Sequence, residues 1–279
     1  MRTSTQLKAL IRNLSKKSNV EAEIVLRNFM LERFLERIAV STYKDNFILK
    51  GGMLISAMVG IDTRTTMDMD ATIKGQALSQ SDMTTIIESI LSTQIDDSAS
   101  FFFQGIEEIR EEADYHGYRV SIGAIFDKTR QTLKIDITTG DFITPREIEY
   151  NFKLMFEDRT ISIMAYNLET VLAEKFETCI TRGVTNTRMR DFYDIYILTT
   201  THSYDANIFK AALDKTAEKR HTAQQMSEGI ADTITVILEN EIMADLWQRY
   251  QKKYFYAADI SWAMVISAVK VLAEKAIKS

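Results

Sequence analysis

Three aspartates in two short segments are the side chains of this sequence best suited to carry chemistry. Asp68 and Asp70 stand one residue apart in the segment MDMDATI, and Asp136 lies in LKIDIT. Alternate residues of a strand share a face, so a strand here places Asp68 and Asp70 together and turns Met67 and Met69 to the other side. Two carboxylates on one face repel each other, and burying them unpaired is costly. The pattern predicts that water or a cation lies in front of them.

The segment around Asp136 shows the same alternation. Leu133, Ile135 and Ile137 face one side of a predicted strand, and Lys134, Asp136 and Thr138 face the other. If this strand lies beside the one that carries the first two aspartates, three carboxylates converge on one patch. Three oxygen donors suit a hard octahedral cation such as Mg²⁺ or Mn²⁺, which shares phosphate oxygens with a bound substrate. Two such ions can activate an attacking hydroxyl and neutralise the leaving group in phosphoryl or nucleotidyl transfer.

A glycine pair precedes the aspartates. Gly51 and Gly52 follow the short apolar run 47–49 and open a helix predicted to continue to Val59. The two glycines could serve only to permit a tight strand-to-helix turn. Small residues at a helix start also allow backbone N–H groups to approach a phosphate, whose charge the helix dipole favours. A DxD pair alone is common and is more usually a solvated turn, but its combination with a glycine turn is more specific than either part.

The elements that must position these residues follow from periodicity and from the scarcity of breakers. The chain has one proline and ten glycines, which favours long helices. Ser18 and Glu21 have capping-box spacing ahead of an apolar stripe that predicts a helix over 20–40. A period of two predicts successive strands of one sheet between 100 and 139. The other elements predicted in this half are strands at 47–49 and 67–73 and a helix at 81–91.

The sequence from residue 167 onward is typical of helices. Asn167 is placed to cap a helix that continues to about Arg182, and a second helix follows over 188–198. Three or four more helices are predicted before Ser279. The change from strands to helices puts a domain boundary near residue 160.

Composition bounds the class of protein. The chain of 279 residues is 46% hydrophobic and 26% charged, enough to bury one large core or two smaller ones. Its formal charge of −5 argues against indiscriminate nucleic-acid binding, and residues 61–160 carry 19 acidic against 10 basic side chains. Residues 1–20 instead carry five basic residues and no acidic one. The acidic segment would repel a polyanion unless metal ions intervened.

Other chemistries have little support. His116, His202 and His221 are scattered, without zinc-ligand spacing to Cys179. A single cysteine excludes an internal disulfide framework, and its place on the apolar face of a helix indicates a core residue. No charged-then-apolar leader opens the chain and no apolar run has the roughly 18 residues of a membrane span, so we expect a soluble, cytoplasmic protein. The aromatic residues of 200–279 favour a helical core over a surface that stacks on RNA bases.

Together these motifs resemble those of the polymerase-β-like nucleotidyltransferases. The resemblance rests on LKGG at 49–52, DxD at 68–70 and KID at 134–136, in that order. Two further segments make the chain most similar to the AbiEii/AbiGii toxin family of bacterial abortive-infection and type IV toxin–antitoxin systems. They are LETVLAEKFETCITR at 168–182 and RMRDFYDIYIL at 188–198.

The resemblance implies an α+β fold. An N-terminal nucleotidyltransferase domain over 1–160, with N-terminal helices and a mixed sheet flanked by helices, precedes a C-terminal helical domain over 161–279. The helical domain is expected to pack against the sheet domain and to form one wall of the active cleft.

The resemblance also implies roles for the motif residues of the first domain. Asp68 and Asp70 are expected to hold the metal ions, and Asp136 to complete the site and help activate the acceptor hydroxyl. Gly51 and Gly52 are expected to approach the triphosphate.

Three residues of the helical segments are implicated in the same way. Lys175 is a candidate phosphate contact, because an ammonium group on a helix can reach across a cleft to a nucleotide; the alternative is an exposed lysine paired with a neighbouring acid. Asp191 is implied as a catalytic residue that orients a base or a basic neighbour, with Asp194 in second place. The alternative for both is a set of surface ion pairs with Arg188 and Arg190.

Two further positions leave alternatives open. Lys134, on the face of Asp136, either neutralises phosphate charge in nucleotide binding or only offsets the neighbouring carboxylate. Met53 stands where many relatives have a small hydroxyl residue, and a thioether cannot donate a hydrogen bond to a phosphate. The backbone N–H groups remain able to do so.

The activity implied by the resemblance is metal-dependent transfer of a nucleoside monophosphate from an NTP to an acceptor hydroxyl. RNA, such as the 3′ end of tRNA, is the implied acceptor, and growth arrest in phage defence the implied outcome; a protein hydroxyl stays open as acceptor. Nucleotidylation of a small molecule, as in antibiotic-modifying relatives of the fold, is an alternative, and so is a non-catalytic nucleotide-binding module. A cognate antitoxin is expected genetically, and it need not bind the toxin.

Overall fold

A mixed β-sheet and a set of helices make up the part of the chain that the computed structural model describes, residues 3–75, 78–111 and 115–277. The strands are β1 (Phe47–Lys50), β2 (Met69–Ile73), β3 (Ala99–Glu111), β4 (Tyr115–Phe126), β5 (Thr129–Thr139), β6 (Ile148–Lys153) and β7 (Thr160–Ala165). The α-helices are α1 (Ser4–Ser18), α2 (Ala22–Val40), α3 (Gly51–Val59), α4 (Gln80–Leu91), α5 (Leu168–Arg182), α6 (Met189–Thr201), α7 (Ala206–Lys219), α8 (Ala223–Glu228), α9 (Ile230–Glu239), α10 (Glu241–Lys253) and α11 (Trp262–Ile277).

The sheet has the strand order β3-β4-β5-β2-β1-β7-β6. The pairs β2–β5 and β1–β7 are parallel, and the other neighbours are antiparallel. The predicted α+β fold with a mixed sheet is confirmed. Strands β6 and β7 are additions that the sequence reasoning missed, and they extend the sheet's chain segment to Ala165.

The chain divides into two compact units. The first comprises Met1–Asp141 and Glu147–Ala165 and contains the sheet, and the second comprises Phe142–Arg146 and Tyr166–Ser279 and is helical. The predicted functional domains, 1–160 and 161–279, stay a prediction.

Helix α2 forms much of the core of the sheet unit. It packs on β5 and β7, and its Phe29 ring meets the Phe126 ring edge-on with 5.4 Å between centroids. The predicted capping box is wrong: Ser18 ends α1, where its hydroxyl donates to the carbonyl of Leu14, and Glu21 precedes α2 without a side-chain cap. The helix therefore depends on its buried face rather than on a cap.

Buried charges also fasten α2 to the rest of the unit. Arg37 binds both oxygens of Asp97, with Nη1–Oδ2 of 2.8 Å and Nη2–Oδ1 of 2.9 Å, and it donates to the carbonyl of Ala99 at 2.6 Å. The guanidinium also lies 4.6 Å from the centroid of the Phe101 ring. This bidentate pair connects the last turn of α2 to the start of β3.

A second group of charges joins α2 to the turn between β6 and β7. Arg33 Nη1 lies 2.8 Å from Glu157 Oε1 and 3.1 Å from Glu36 Oε2. Glu32 accepts the backbone N–H of Met155, and its burial raises the pKa of the carboxyl to about 8. We use the name α2 charge network for Glu32, Arg33, Glu36, Arg37, Asp97 and Glu157.

The helical unit begins as predicted. Asn167 caps α5, because its Oδ1 accepts the N–H of Thr170 at 2.8 Å. Cys179 is buried, as expected of a core residue, and this burial raises the pKa of its thiol. Five α-helices follow α6 within the described residues, rather than three or four. None of the described helices is long and apolar enough to cross a membrane.

The aromatic residues of this unit mostly pack inward. Trp247 and Tyr250 are buried and stack with 5.3 Å between ring centroids. Tyr193 on α6 lies 6.0 Å from the ring of Tyr250. Phe255 and Phe142 are exceptions, with 70% and 52% of their surfaces exposed. The prediction of a helical core is confirmed for Trp247 and Tyr250.

Candidate functional site on the sheet

The parallel pairing of β2 with β5 brings two aspartates side by side. Asp70 is the register partner of Asp136, and on the other side of β2 it is the partner of Lys50. Register partners point to the same face of a sheet. Both carboxylates are half-buried, whereas Ile135 and Ile137 on the opposite face are buried completely.

Asp68 lies near these two aspartates, but it is not part of the strand in which it was predicted. It lies in a bend before β2, which begins at Met69, so the strand alternation that was expected to pair it with Asp70 does not include it. Met67 is 40% exposed instead of packed inward. The strand prediction over 67–73 is therefore wrong at its first two residues.

The electrostatics of Asp68 nevertheless show that the three carboxylates are neighbours. The pKa of Asp68 is raised, first because surrounding protein displaces part of its water although the side chain remains exposed, and then because Asp136 and Asp70 are negative. Arg27 and Arg119 act in the opposite direction. The patch therefore holds more negative charge than its cations offset.

The glycine pair makes direct contact with Asp70. Gly51 begins α3 with φ of 64°, and a Cβ there would lie 2.1 Å from Asp70 Oδ2. Gly52 donates its N–H to the same oxygen at 3.2 Å. A Cβ on Gly52 would lie 2.7 Å from Thr66 Oγ1. Glycine is thus required at both positions for packing, and the start of α3 opens onto the carboxylate face.

Arg119 is the residue of this patch that the sequence reasoning missed. It lies on β4 opposite Asp136, and its Nε and Nη2 donate to the two carboxylate oxygens at 2.8 and 2.7 Å. The side chain is 36% exposed. The alternation of YRVSIGAIF places Arg119 on the polar face of a strand, but only the β4–β5 register reveals its partner.

Two lysines differ in how they are held. Lys50 is fixed by Asp141, with Nζ–Oδ2 of 2.7 Å, and the Thr138 hydroxyl donates to the same carboxylate oxygen. Lys134 lies on the face of Asp136 and is exposed, and it forms no ion pair with any residue in the described ranges. Lys134 is therefore available to an incoming ligand.

The donor chemistry of the patch fits a hard divalent cation. Three carboxylates lie close enough to interact, and the pKa of Asp68 is raised first by partial burial and then by the charges of Asp136 and Asp70. No three described Asp, Glu, His or Cys side chains are placed to hold a metal ion as they stand. Two of the three carboxylates already have partners: Arg119 holds both oxygens of Asp136, and Gly52 donates to Asp70.

The predicted residues of the helical unit form a separate charged group. Lys175 Nζ lies 2.6 Å from Asp191 Oδ1 and 3.2 Å from Asp194 Oδ2. Both carboxylates are buried, so the alternative of surface ion pairs is wrong for them. Arg188 Nε lies 2.8 Å from Asp191 Oδ2, but without the alignment of a hydrogen bond, and Arg190 donates to the hydroxyl of Tyr254.

This group places two buried acids around one lysine. Lys175 is largely buried, and Arg188 is half-exposed. Buried carboxylates need such partners to remain charged. The contribution of Lys175 and Asp191 to catalysis or nucleotide binding stays a prediction.

The fold is that of a nucleotidyltransferase. The chain superposes on a candidate nucleotidyltransferase from H. pylori with a TM-score of 0.52 and 14% identity, covering 93% of this chain and 96% of that one. It superposes on JHP933 from Helicobacter pylori with a TM-score of 0.51 and 13% identity, covering 92% and 93%. A comparison with curated proteins gives no match.

The family is narrower than the fold. Residues 33–268 match the family described as nucleotidyl transferase AbiEii toxin, type IV toxin–antitoxin system. The match covers most of the chain and includes the glycine pair, all three sheet aspartates and Lys175. The chain belongs to this family, as its motifs predicted.

Proposed function

We propose that this protein transfers a nucleoside monophosphate from an NTP to a hydroxyl group of RNA, with the 3′ end of tRNA as the favoured acceptor. The acceptor oxygen forms a bond to the α-phosphorus, the bond to the β-phosphate oxygen breaks, and pyrophosphate leaves. The observation that carries the proposal is the register of Asp70 beside Asp136 on a face that also receives the start of α3.

The chain's own groups have separable roles in such a reaction. Asp136 would accept the proton of the attacking hydroxyl, since it lies on the open face between Asp70 and Arg119. The first turn of α3 would donate backbone N–H groups to the triphosphate. Lys134 and Arg119 would offset charge on the transferring phosphate.

A divalent cation such as Mg²⁺ or Mn²⁺, when bound, would neutralise phosphate charge at this face. Asp68, Asp70 and Asp136 would hold it, because they supply the oxygen ligands that such ions prefer. Asp136 would have to loosen its pair with Arg119 to do so.

The family supports the biological part of the proposal. A type IV toxin–antitoxin family implies an antitoxin. Modification of an RNA that translation requires would arrest growth and would serve phage defence, and an antitoxin could reverse the arrest without binding the toxin.

Labelling the NTP at two alternative phosphates tests the reaction. Purified protein is incubated with Mg²⁺, total RNA and each NTP, labelled either at the α- or at the γ-phosphate. The proposal predicts that α-label enters RNA and γ-label appears in pyrophosphate. Asp70→Asn should abolish both, and Asp45→Asn, which changes an exposed aspartate elsewhere in the sheet unit, should abolish neither.

Other results would point to other functions. γ-Label on RNA would indicate phosphoryl transfer and contradict the proposal. α-Label on a small molecule alone would favour the small-molecule alternative. Nucleotide binding without any transfer, equal in wild type and Asp70→Asn, would favour a binding module.

A further inference from the structure

The face that carries the aspartates continues outward across β5, β4 and β3. Register partners on this face are Thr132 of β5, Gly123 of β4 and Phe102 of the edge strand β3. By strand geometry, Phe102 lies roughly 16 Å from Asp136, four residues along β5 and two strands across. A short single strand of nucleic acid can cover that distance.

The ring of Phe102 packs directly over a glycine on this face. Its side chain is 46% exposed, and the far end of its ring lies over Gly123, where a Cβ would come within 2.1 Å of Cζ and 2.6 Å of Cε2. Any other residue at 123 would displace the ring. Beside it, a Cβ added to Gly105 would meet no heavy atom within 4 Å, so the surface next to the ring is open.

Basic side chains lie two strands across from the ring, on β5. Lys134 and Arg130 lie on the same face of β5 and are exposed, and neither forms an ion pair with a described residue. Glu107, the acidic residue of β3 on this face, lies in the register row of Arg119 and Asp136 rather than in that of Phe102. The face therefore changes from acidic at the aspartates to basic toward its outer part.

We infer that this outer face, around Phe102, Lys134 and Arg130, binds single-stranded RNA that leads into the site. A base stacks on the exposed Phe102 ring, and phosphates contact the two cations. The inference rests on the proposed function, because it assigns the acceptor strand a path. Single exposed aromatic residues are common on protein surfaces; the combination of a glycine seat, free cations and a shared face with the aspartates favours RNA over a protein partner.

Binding without NTP tests the surface separately from transfer. The probe is a fluorescein-labelled single-stranded RNA of about twelve nucleotides, a length within reach of one protein surface, followed by fluorescence anisotropy. Loss of the stacking ring in Phe102→Ala should weaken binding about 5- to 150-fold. Phe102→Trp should keep the affinity, and Phe102→Leu, which keeps apolar area without a ring, should weaken it as Phe102→Ala does.

Salt dependence separates the cations from the ring. Arg130→Gln should reduce the slope of log affinity against log salt by about 0.7, because one phosphate contact is lost. Phe102→Ala should lower the affinity and leave that slope unchanged. The matched control is Phe255→Ala, which removes an exposed ring from the helical unit and should change neither.

Two outcomes overturn the inference. One is wild-type affinity in Phe102→Ala, and the other is full affinity in Phe102→Leu, which would replace stacking by unspecific apolar contact. The Trp and Leu variants keep a large side chain at 102 and so remain informative if the Ala variant misfolds. If wild type transfers α-label to RNA while Phe102→Ala binds RNA normally, only the surface fails; if no RNA is labelled, the proposed function fails.

Discussion

Two groups of charged residues in the sheet unit contain the same side-chain types but differ in how far they are exposed to solvent. In the α2 charge network, Arg37 and Asp97 close on each other with side chains only 3% and 4% exposed. On the sheet face, Arg119 and Asp136 form an equally regular bidentate pair, but their side chains are 36% and 21% exposed. Asp68 and Asp70 add two carboxylates to that pair.

The difference separates scaffold from site. A buried pair with both partners present is costly to break, because the remaining charge is left without water. A half-exposed pair in an excess of negative charge contributes little to stability and exchanges its partner for a ligand at small cost. Exposure and charge balance, rather than the presence of an ion pair, distinguish the face that we propose binds the nucleotide.

The largest expected effect is on the scaffold. Arg37→Met leaves Asp97 buried without its partner and should lower the free energy of unfolding by about 3–5 kcal/mol. Denaturant unfolding measures the change. Arg27→Met on the same helix removes an ion pair with Glu23, whose side chain is largely exposed. This substitution should lower the free energy of unfolding by at most about 1 kcal/mol. Equal losses in the two variants would contradict the comparison.

The next effect is on activity rather than stability. Asp136→Asn removes the central carboxylate of the sheet face and should slow nucleotidyl transfer about 10²- to 10³-fold. The melting temperature should change little, since the lost pair with Arg119 is half-exposed. Initial transfer rates and thermal unfolding are measured on the same preparations. A variant that melts early yet transfers normally would assign Asp136 to the scaffold.

A pH series sharpens the distinction within the α2 charge network. The pKa of Glu32 rises from 4.5 to about 8, mainly through burial, with Glu157 and Glu36 adding to the rise and Met155 N–H and Arg33 opposing it. A carboxyl with a raised folded-state pKa stabilises fully below 4.5, and this stability is lost as pH rises through 8.

Glu32→Gln tests this dependence, because an amide does not titrate. Between pH 4.5 and 8, wild type should lose stability relative to the variant by on the order of a few kcal/mol. Denaturant unfolding at several pH values measures the difference. Parallel pH curves for the two proteins would show that Glu32 is ionised in the folded state.

The smallest expected effect is on stability and concerns Gly51, which follows β1 and contacts Asp70. Gly51→Ala forces a left-handed residue to carry a Cβ against Asp70 and should cost about 1–2 kcal/mol. Gly105→Ala is the control for stability, because its Cβ would meet open space. A Gly51→Ala protein as stable as wild type would mean that Asp70 moves freely, and the contact between α3 and the carboxylate would lose its significance.

Local pattern predicted much of this molecule. The alternation of LKIDIT predicted the buried and open faces of β5, and the glycine pair predicted the start of α3, because both depend on neighbours in the chain. The partner of Asp136 could not be predicted, since Arg119 meets it only through the β4–β5 register. Asp68 lies near Asp70 although it is outside the strand. Strands β6 and β7 carry a period of two, in IEYNFK and TISIMA, so the sequence held a signal for them that the predicted elements did not include.

We propose that the NTP reacts at the face that carries Asp68, Asp70 and Asp136. The most direct test is a crystal structure with Mn²⁺ and a non-hydrolysable NTP, with manganese located by anomalous scattering. We expect manganese against Asp70 and Asp136, the triphosphate at the start of α3, and Arg119 no longer binding both oxygens of Asp136. Nucleotide bound elsewhere, with the Arg119–Asp136 pair intact, would contradict it.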